Sequence, residues 1–472
     1  MRVSPVRIIR AAALILAAAP SLWSCLAATP SLWSCLAATP SLWSCLAAVQ
    51  VNPAFGDTVG IPDSLWIVDS VIVTGNRETK DFVILREMTL VPGSRITTAE
   101  LEFDQNRIYS LRLFNQVRIG VEPSAPGFAH LHVEVSERWY IFPFPIVGLR
   151  DRDWNKIFFG VGIMHQNFLG RNEKLFAALV LGYDPSLSFS YRNPFLNDGG
   201  TEFLAAQLSL STVRNRSLLT EDGGDNYDER HVSAGMSLGK RIGIEHTISL
   251  TVGYEYVDVT AYLPGRTVST SGRDRYPTTN LSYNYDTRDL GEYPSRGSYA
   301  GIGISTYGFP SSELGYVRYG YDVRQFIPLP GGLTFAARGY GDLAAGGVVP
   351  PYDHEYFGYG NRIRGHFREI VEGEQLTAAT VELHLPLFTP VYMKVDKLPA
   401  EFGLWRFGIA AALFADAGEV WYRGTPFAVN RFIKGYGAGL HFLLPYSYVL
   451  RLEYALNEIR HGEFIVDLGG AL

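Results

Sequence analysis

The sequence predicts a transmembrane β-barrel of sixteen antiparallel strands, preceded by one small α+β domain with the element order βααββ. From Trp139 onward, segments of about ten residues alternate between apolar and polar positions, which is the pattern of barrel strands. The chain contains 27 Tyr, 27 Phe and 48 Gly, whereas only 19% of its residues are charged. Beyond the leader, no uninterrupted apolar run is long enough for a transmembrane helix, so strands would have to cross the membrane.

Length and composition narrow the class of protein further. A chain of 472 residues can hold two or three soluble domains, or one small domain and a large barrel. Low charge together with many aromatic and glycine residues is unusual for a cytosolic enzyme, but suits lipid-facing strands with aromatic girdles and tight turns. The formal net charge is -6 and no basic stripe is present, so we expect no nucleic-acid partner.

Residues 1–48 are predicted to be an export signal. Three arginines precede the apolar run 11–19, which is typical of a secretory signal peptide. The decapeptide Pro-Ser-Leu-Trp-Ser-Cys-Leu-Ala-Ala-Thr then occurs at 20–29 and 30–39, and again at 40–49 with Val49 as its last residue. Ten residues are too few for a packed repeat unit, so we interpret the repeat as a duplication within the signal, cleaved near Ala47 or Ala48.

The cysteines leave a second interpretation of the leader open. All three of them, Cys25, Cys35 and Cys45, lie in the leader, so the remainder of the fold contains neither a disulfide nor a thiolate metal site. The sequence before Cys25 and its copies loosely resembles a lipobox, and lipoprotein processing is therefore the alternative to ordinary cleavage.

A linker at 49–63 and a small domain at 64–138 are predicted next. A strand at 66–73 ends at the turn pair Gly75-Asn76. Thr97 and Glu100 form a capping-box pattern at the start of the second of two helices. Strands at 117–119 and 131–135 follow, and the second of these alternates apolar with polar residues as in a half-buried sheet.

The barrel is predicted over 139–472. A β-sandwich has the same period, but paired charges and many glycines at the polar positions favour a water-filled lumen. An even number of strands places both ends of the barrel on the periplasmic side, so the loop at 343–374 is the sixth outer loop. The predicted strands are 140–149, 157–166, 174–183, 187–193, 201–213, 229–240, 244–257, 276–287, 297–308, 314–327, 331–342, 375–387, 405–415, 435–444, 448–456 and 463–471.

The sixth outer loop carries the candidate functional motif, which contains Gly360, Arg364, Gly365, His366 and Phe367. An arginine beside glycine in such a loop is either an ordinary solvated residue or a charge folded back into a polar interior. A buried guanidinium requires a carboxylate, because an unpaired buried charge costs several kcal/mol. Arginine, unlike lysine, can bind a carboxylate through two parallel hydrogen bonds and so fix the position of the loop.

The candidate partners of Arg364 lie on two predicted strands. Phe414 and Asp416 fall on the inward face together with small residues that leave room for a loop, and Gly418 ends the same stretch. We therefore expect Asp416 to be the first partner of Arg364. Glu382, inward on the preceding strand, is the second choice.

The first and last barrel strands are predicted to meet at a weak seam. The first contains Pro143 and Pro145, which lack a ladder donor and are tolerated mainly at sheet edges. The last has Phe464, Val466 and Leu468 facing lipid and must pair with the first to close the barrel. The alternative is that the two prolines only end the linker before the strand begins.

Five stretches in order resemble motifs of the BamA/TamA superfamily of outer-membrane assembly factors and transporters. The small domain, with Gly75-Asn76 after its first strand and Leu113-Phe114 before its second, resembles a POTRA domain, and one copy is visible. Two departures are His366, where the family usually has Phe or Tyr, and the final Leu472, where an aromatic residue is usual. The five matching stretches are 167–172, 191–196, 285–297, 360–365 and 414–418.

The resemblance implies a non-enzymatic protein of the Gram-negative outer membrane, with its POTRA-like domain in the periplasm and no cofactor or metal. Such domains bind unfolded client polypeptides by adding a strand to a sheet edge. The implied partners also include outer-membrane lipids, lipopolysaccharide and accessory lipoproteins. The alternatives are a polypeptide secretion transporter of the two-partner type, which usually has two POTRA domains and a plug helix, and a passive pore or structural barrel.

Overall fold

The computed structural model describes residues 49–52, 66–150, 154–196, 200–219, 227–309, 314–366, 369–395, 404–445 and 448–469. The predicted export signal, Phe367 and Leu472 lie outside these residues. None of the helices within the described ranges is long and apolar enough to cross a membrane.

The small domain has the predicted βααββ order. Its elements are β2 (Ile67–Thr74), α1 (Asp81–Leu85), α2 (Thr98–Ser110), β3 (Phe114–Ala125) and β4 (Phe128–Glu137). The sheet has the order β2-β4-β3, in which β4 runs parallel to β2 and antiparallel to β3. Thr97 caps α2 as predicted, since its side chain accepts a hydrogen bond from the Glu100 N–H and donates one to the Glu100 carboxylate.

Sixteen long antiparallel strands follow in the described part of the chain, as predicted. Each strand pairs with the next one along the chain, so the topology is a simple meander. The strands are β5 (Ile141–Leu149), β6 (Ile157–Phe168), β7 (Glu173–Gly182), β8 (Ser186–Asn193), β9 (Glu202–Arg214), β10 (Asp228–Ile242), β11 (His246–Val259), β12 (Arg273–Asp286), β13 (Gly297–Tyr307), β14 (Tyr316–Pro328), β15 (Thr334–Gly346), β18 (Gln375–Val395), β19 (Leu404–Trp421), β20 (Ile433–Leu444), β21 (Tyr448–Asn457) and β22 (Gly462–Gly469).

Two strands are longer than the sequence predicts. The expected ends were 387 for β18 and 415 for β19, whereas the structure extends them to Val395 and Trp421. Pro386 and Pro390 interrupt the apolar alternation of β18, which favours an early end. The pairing nevertheless continues to Lys394 because register shifts after Pro386 absorb the irregularity.

Part of the predicted linker is also a strand. β1 (Val49–Asn52) pairs antiparallel with residues 392–395 of β18. The extra length of β18 provides the edge on which β1 pairs, and no separate sequence pattern marks this contact.

Alternation along the strands separates a lipid face from a lumen face. On β6, Val161 and Ile163 are exposed to the outside, whereas Gly162 between them is buried. Large apolar side chains dominate the outward positions of most other barrel strands as well, including Met236, Leu238, Leu413 and Val466. This pattern is expected when one face contacts hydrocarbon and the other a polar interior.

The small domain packs against the nearest end of the barrel. Its core is continuous with Tyr140, Phe195 and Leu290 of the barrel, all of which are buried. It contacts four of the strand-connecting turns at that end and the start of β19. The contacts include Thr79 with Asn167, Phe82 with Phe195, Arg107 with the Ile244 carbonyl, Ser110 with the Gly291 N–H, and Tyr109 with Arg406.

Candidate functional site

The connection between β15 and β18, here called loop 6 (residues 347–374), folds back against the inner wall of the barrel. Two short strands, β16 (Glu355–Phe357) and β17 (Val371–Gly373), pair at its base. Phe357 at the end of β16 and Ile363 after it are each 1% exposed and pack with Leu376 and Val420 of the wall. Burial of these apolar side chains holds the segment that carries Arg364 inside the barrel.

Arg364 lies in a cluster of three buried carboxylates. Its Nε and Nη2 donate to the two oxygens of Asp416 at 2.6 and 2.7 Å, the two-bond geometry expected from the sequence. Nη1 lies 2.7 Å from Glu382 and donates to Glu453 at 3.0 Å. The guanidinium carbon also stands 3.7 Å from the centre of the Phe414 ring. Loop 6 is therefore joined to β18, β19 and β21 through one side chain.

Glycines allow the loop backbone to approach the wall. A Cβ at Gly435 on β20 would lie 1.6 Å from the Arg364 carbonyl oxygen, which no side chain could tolerate. Gly418 would meet the Phe357 ring at 2.7 Å, and Gly365 has a φ of +95° and lies against the backbone of Leu456. By contrast, a Cβ at Gly360 would meet nothing within 4 Å, so this predicted motif residue has no steric role in the described structure.

His366 makes polar contacts where the family usually has an aromatic ring. It is 5% exposed, and its Nδ1 lies 2.8 Å from Glu369. Its Nε2 lies 2.7 Å from Glu458 in the last outer loop and 3.0 Å from the Lys434 carbonyl. Burial alone would lower the pKa of His366, but the two carboxylates outweigh it and raise the pKa above its usual value.

A second layer of polar side chains contacts the carboxylates on their periplasmic side, opposite to loop 6. His384 Nε2 lies 2.7 Å from Glu382, and His441 Nε2 lies 3.1 Å from Glu453. Tyr293, from the turn between β12 and β13, stacks on His384 and reaches His441 Nδ1 at 3.0 Å. In the described residues, no group of three or more His, Cys, Asp or Glu side chains is arranged to hold a metal ion.

The two end strands of the barrel sheet have no registered residue pair between them in the part of the chain that is described. The shortest of the other barrel ladders, between β7 and β8, still has seven pairs. Hydrogen bonds of Tyr140 and Arg150 at either end of β5 show that even-numbered residues bond to β6. The odd-numbered N–H positions therefore face the free edge, and Pro143 and Pro145 remove two of those donors.

The free edge of β22 is different. The Asn457 N–H bonds to the His461 carbonyl, and the register with β21 continues from that pair, so odd-numbered residues of β22 bond to β21. Phe464, Val466 and Leu468 consequently turn their backbone groups to the free edge, and their side chains are about as exposed as any in the barrel. The Leu468 N–H is bonded to the Asp467 side chain instead of to a neighbouring strand.

Sequence reasoning missed two classes of residue at these sites. Glu453 is the third carboxylate of the Arg364 cluster, and its inward position in β21 was the signal that could have found it. The contact that joins Glu87 of the small domain to Arg241 of the barrel had no sequence signal, because it depends on how the two parts dock.

Comparisons with known proteins agree with this architecture. The protein-family model described as the Omp85 superfamily domain matches residues 167–464. The POTRA family model, described as a surface antigen variable number repeat, matches residues 67–138. The outer membrane protein assembly factor BamA of Nitratidesulfovibrio vulgaris is 24% identical over 49% of this chain, and that of Neisseria meningitidis is 21% identical over 75%. The chain spans only 28% and 46% of the lengths of these two relatives.

Solved structures show the same fold at low identity. BamA from Haemophilus ducreyi lacking POTRA domains 1–3 aligns with a TM-score of 0.52 at 17% identity, covering 89% of this chain and 88% of that one. CdiB from Escherichia coli aligns with a TM-score of 0.54 at 12% identity, covering 86% and 75%. Since the superfamily model matches more than half of the residues, the chain belongs to the Omp85 superfamily, as a BamA/TamA-type outer-membrane β-barrel with a periplasmic POTRA domain.

Proposed function

We propose that this protein is an outer-membrane assembly factor that inserts client β-barrel polypeptides by pairing their strands with the free edge of β22. The observation that carries the proposal is the absence of any registered pair between β5 and β22 among the described residues, when all other neighbouring barrel strands are paired. A backbone group left unpaired at membrane depth costs several kcal/mol, so an incoming strand that satisfies this edge is stabilised there.

The two edges are poor partners for each other, which favours exchange with a client. The N–H groups of Phe464 and Val466 need acceptors, and the carbonyls of Phe464, Val466 and Leu468 need donors. Pro143 and Pro145 supply no donor at two successive edge-facing positions of β5. A client strand without proline offers a complete ladder and therefore competes well for β22.

The POTRA domain is proposed to receive the same clients earlier. Its sheet order leaves β2 and β3 at the edges, and an extended polypeptide can add to such an edge through main-chain hydrogen bonds. The other partners we propose are outer-membrane lipids and lipopolysaccharide around the apolar outer face, and accessory lipoproteins on the periplasmic side. The chemistry needed is strand pairing, without a catalytic residue.

A secretion transporter of the two-partner type is the second candidate function. The fold is shared with CdiB as well as with BamA, so the same scaffold is compatible with this role. In that role the client would pass through the lumen, and Arg364 would have to leave its carboxylates to open a path. The two functions differ in where the client finishes, in the membrane or outside the cell.

Depletion of the protein followed by quantitative proteomics tests these functions together. An assembly factor predicts loss of β-barrel proteins from the outer membrane, with their unfolded forms in the periplasm. Loss of one secreted protein and an unchanged outer-membrane proteome would support the transporter instead. If neither the outer-membrane proteins nor the secreted proteins change, and conductance recordings show wide and stable openings, the protein would be a passive pore.

A further inference from the structure

A cluster of positive side chains lies at the periplasmic mouth of the barrel lumen. Lys174 on β7 and Arg192 on β8 are directly opposite each other in the register. Lys174 has the parity of the buried Ala178, whereas Leu179 and Leu181 of the same strand face lipid. Both cations therefore project from the wall into the lumen near the ends of their strands.

The POTRA domain adds two arginines to this cluster. The Arg138 N–H donates to the Leu113 carbonyl, and its guanidinium bonds to Gln166, which has the lumen-facing parity of β6 next to Lys174. Arg112 directly precedes Leu113 at the end of α2. Arg112 is thus one residue from the backbone contact that holds Arg138 beside Gln166, which places the two POTRA arginines in the same region as Lys174 and Arg192.

This arrangement costs stability in more than one way. Like charges directly opposite on adjacent strands are destabilising. Arg112 has a φ of 60°, in the left-handed region where a residue other than glycine is strained. Within the described ranges, neither Lys174 nor Arg192 has a carboxylate at ion-pair distance. Glu292, in the turn between β12 and β13, is bonded to Arg406 at 2.9 Å.

We propose that this basic cluster binds an acidic segment of the client polypeptide as it enters the lumen mouth from the periplasm, a proposal that rests on the proposed function. Arg112 and Arg192 are exposed and Lys174 is half-buried, so a carboxylate-bearing chain can reach them. A negative partner removes the mutual repulsion and forms charge-assisted hydrogen bonds with the guanidinium groups. The cluster thus gives clients with acidic stretches faster capture at low salt.

A polypeptide fits this place better than a lipid does. Lys174 and Arg192 lie on the lumen side of the wall, and the residues beside them that face the bilayer are apolar, such as Leu179. A phospholipid headgroup would have to leave the bilayer with its acyl chains to reach the lumen. The cluster also joins the POTRA domain to the barrel, which lies on the route of a client that leaves a POTRA edge.

The test measures binding of a fluorescent peptide of alternating Glu and Ser to the full chain in detergent by fluorescence anisotropy. We expect the variant Arg112→Gly/Lys174→Gln to bind roughly tenfold more weakly than wild type, since two charge-assisted contacts are lost. The control Lys80→Gln/Lys240→Gln removes the same net charge from exposed positions and should bind as wild type does. A Gln-Ser peptide should bind neither protein.

Thermal unfolding separates a binding role from a structural one. The Arg112→Gly/Lys174→Gln variant relieves backbone strain and repulsion, so it should be at least as stable as wild type. A less stable variant, or equal binding of the Glu-Ser peptide by variant and wild type, would overturn the proposal. Cluster-dependent binding of phosphatidylglycerol vesicles or inorganic phosphate in preference to the peptide would overturn a polypeptide as the occupant. The peptide-binding assay needs no assembly activity. A negative binding result therefore does not contradict the proposed assembly function, and a negative depletion result does not contradict peptide binding.

Discussion

Arg364 is the residue whose charged side chain joins loop 6 to the barrel wall. One guanidinium faces three carboxylates whose side chains are almost fully buried, and two buried histidines contact two of those acids. Removing the cation leaves several like charges together in a site with little water. The cost of breaking such a cluster is therefore larger than the cost of losing a surface ion pair.

Arg364→Ala should destabilise the folded barrel by roughly 3–5 kcal/mol, because it leaves the buried acids without a counter-charge. Arg364→Lys should cost less, since the charge remains but the two-bond contact with Asp416 is lost. The measurement is the denaturant midpoint of refolded protein. Arg362→Ala, two residues away at an exposed position of the same loop, is the matched control. Equal midpoints for Arg364→Ala and Arg362→Ala would show that the cluster does not hold the loop.

The close approach at Gly435 gives a second test at the same scale. Gly435→Ala places a methyl group on the Arg364 carbonyl and should displace loop 6, lowering the unfolding temperature of the barrel. Gly360→Ala, within the motif itself but with nothing within 4 Å, should leave the unfolding temperature nearly unchanged. A normal unfolding temperature for Gly435→Ala would mean that the loop is not seated against β20.

Parity in the sequence was sufficient to predict Asp416 and Glu382 as partners of Arg364, because side chains alternate strictly along a strand. Parity also marks Glu453 as inward, but it does not show that β20 and β21 lie within reach of loop 6, since the position of these strands depends on the arrangement of the whole sheet. His384 and His441 share the inward parity, but their contact with Tyr293 depends on the path of a turn that the sequence leaves open.

At the scale of elements, one ion cluster connects the POTRA domain to the barrel. Glu87, in the turn after α1, is 4% exposed and contacts Arg107 of α2 and Arg241 of β10. Both arginines also donate to the Ile244 carbonyl in the adjoining turn. Burial favours the protonated acid, but the bonds and charges of Arg241 and Arg107 outweigh it and lower the pKa of Glu87.

Glu87→Gln should weaken docking of the POTRA domain at neutral pH. A disulfide between Ser110→Cys and Gly291→Cys reports docking, since a Cβ at Gly291 lies 3.9 Å from the Ser110 Cβ, within the usual range for a disulfide. The leader cysteines are replaced by serine, and Glu102→Gln on the exposed face of α2 is the control. We expect Glu87→Gln to form the disulfide several-fold more slowly, and an unchanged rate would show that docking does not need this charge.

The same reporter gives a pH dependence with a definite sign. A carboxyl with a lowered pKa stabilises the docked state above its unfolded pKa of about 4.3, and this contribution is lost as the pH falls through the folded value. Disulfide formation, initiated with a pH-independent oxidant, should thus slow below about pH 4.3 in the wild type. The Glu87→Gln variant should show little of this dependence, because it has no carboxyl to protonate there.

Considered as a whole, the sixteen barrel strands pair in chain order, whereas β5 and β22 share no registered pair among the described residues. Local alternation predicted the number and order of the strands, since each strand needs only its own sequence and its next neighbour. It did not predict the long β18 and β19 or the added β1, because these depend on pairing between distant segments. Closure is also a property of the whole sheet, and only the register showed that Pro143 and Pro145 occupy edge-facing positions.

Restoring donors at the seam should raise stability and lower activity together. Pro143→Val/Pro145→Val returns two N–H groups to the edge of β5 that faces β22, and each new hydrogen bond is worth roughly 0.5–1.5 kcal/mol. The unfolding temperature should rise, while insertion of a β-barrel client into liposomes by the reconstituted protein should slow, because a client strand must now displace a better ladder. Pro277→Val, within β12 and away from the seam, controls for loss of a proline in a strand. A more stable double variant with a wild-type insertion rate would show that clients do not enter by opening this edge. A higher unfolding temperature together with slower insertion would show that client insertion takes place at the seam between β5 and β22.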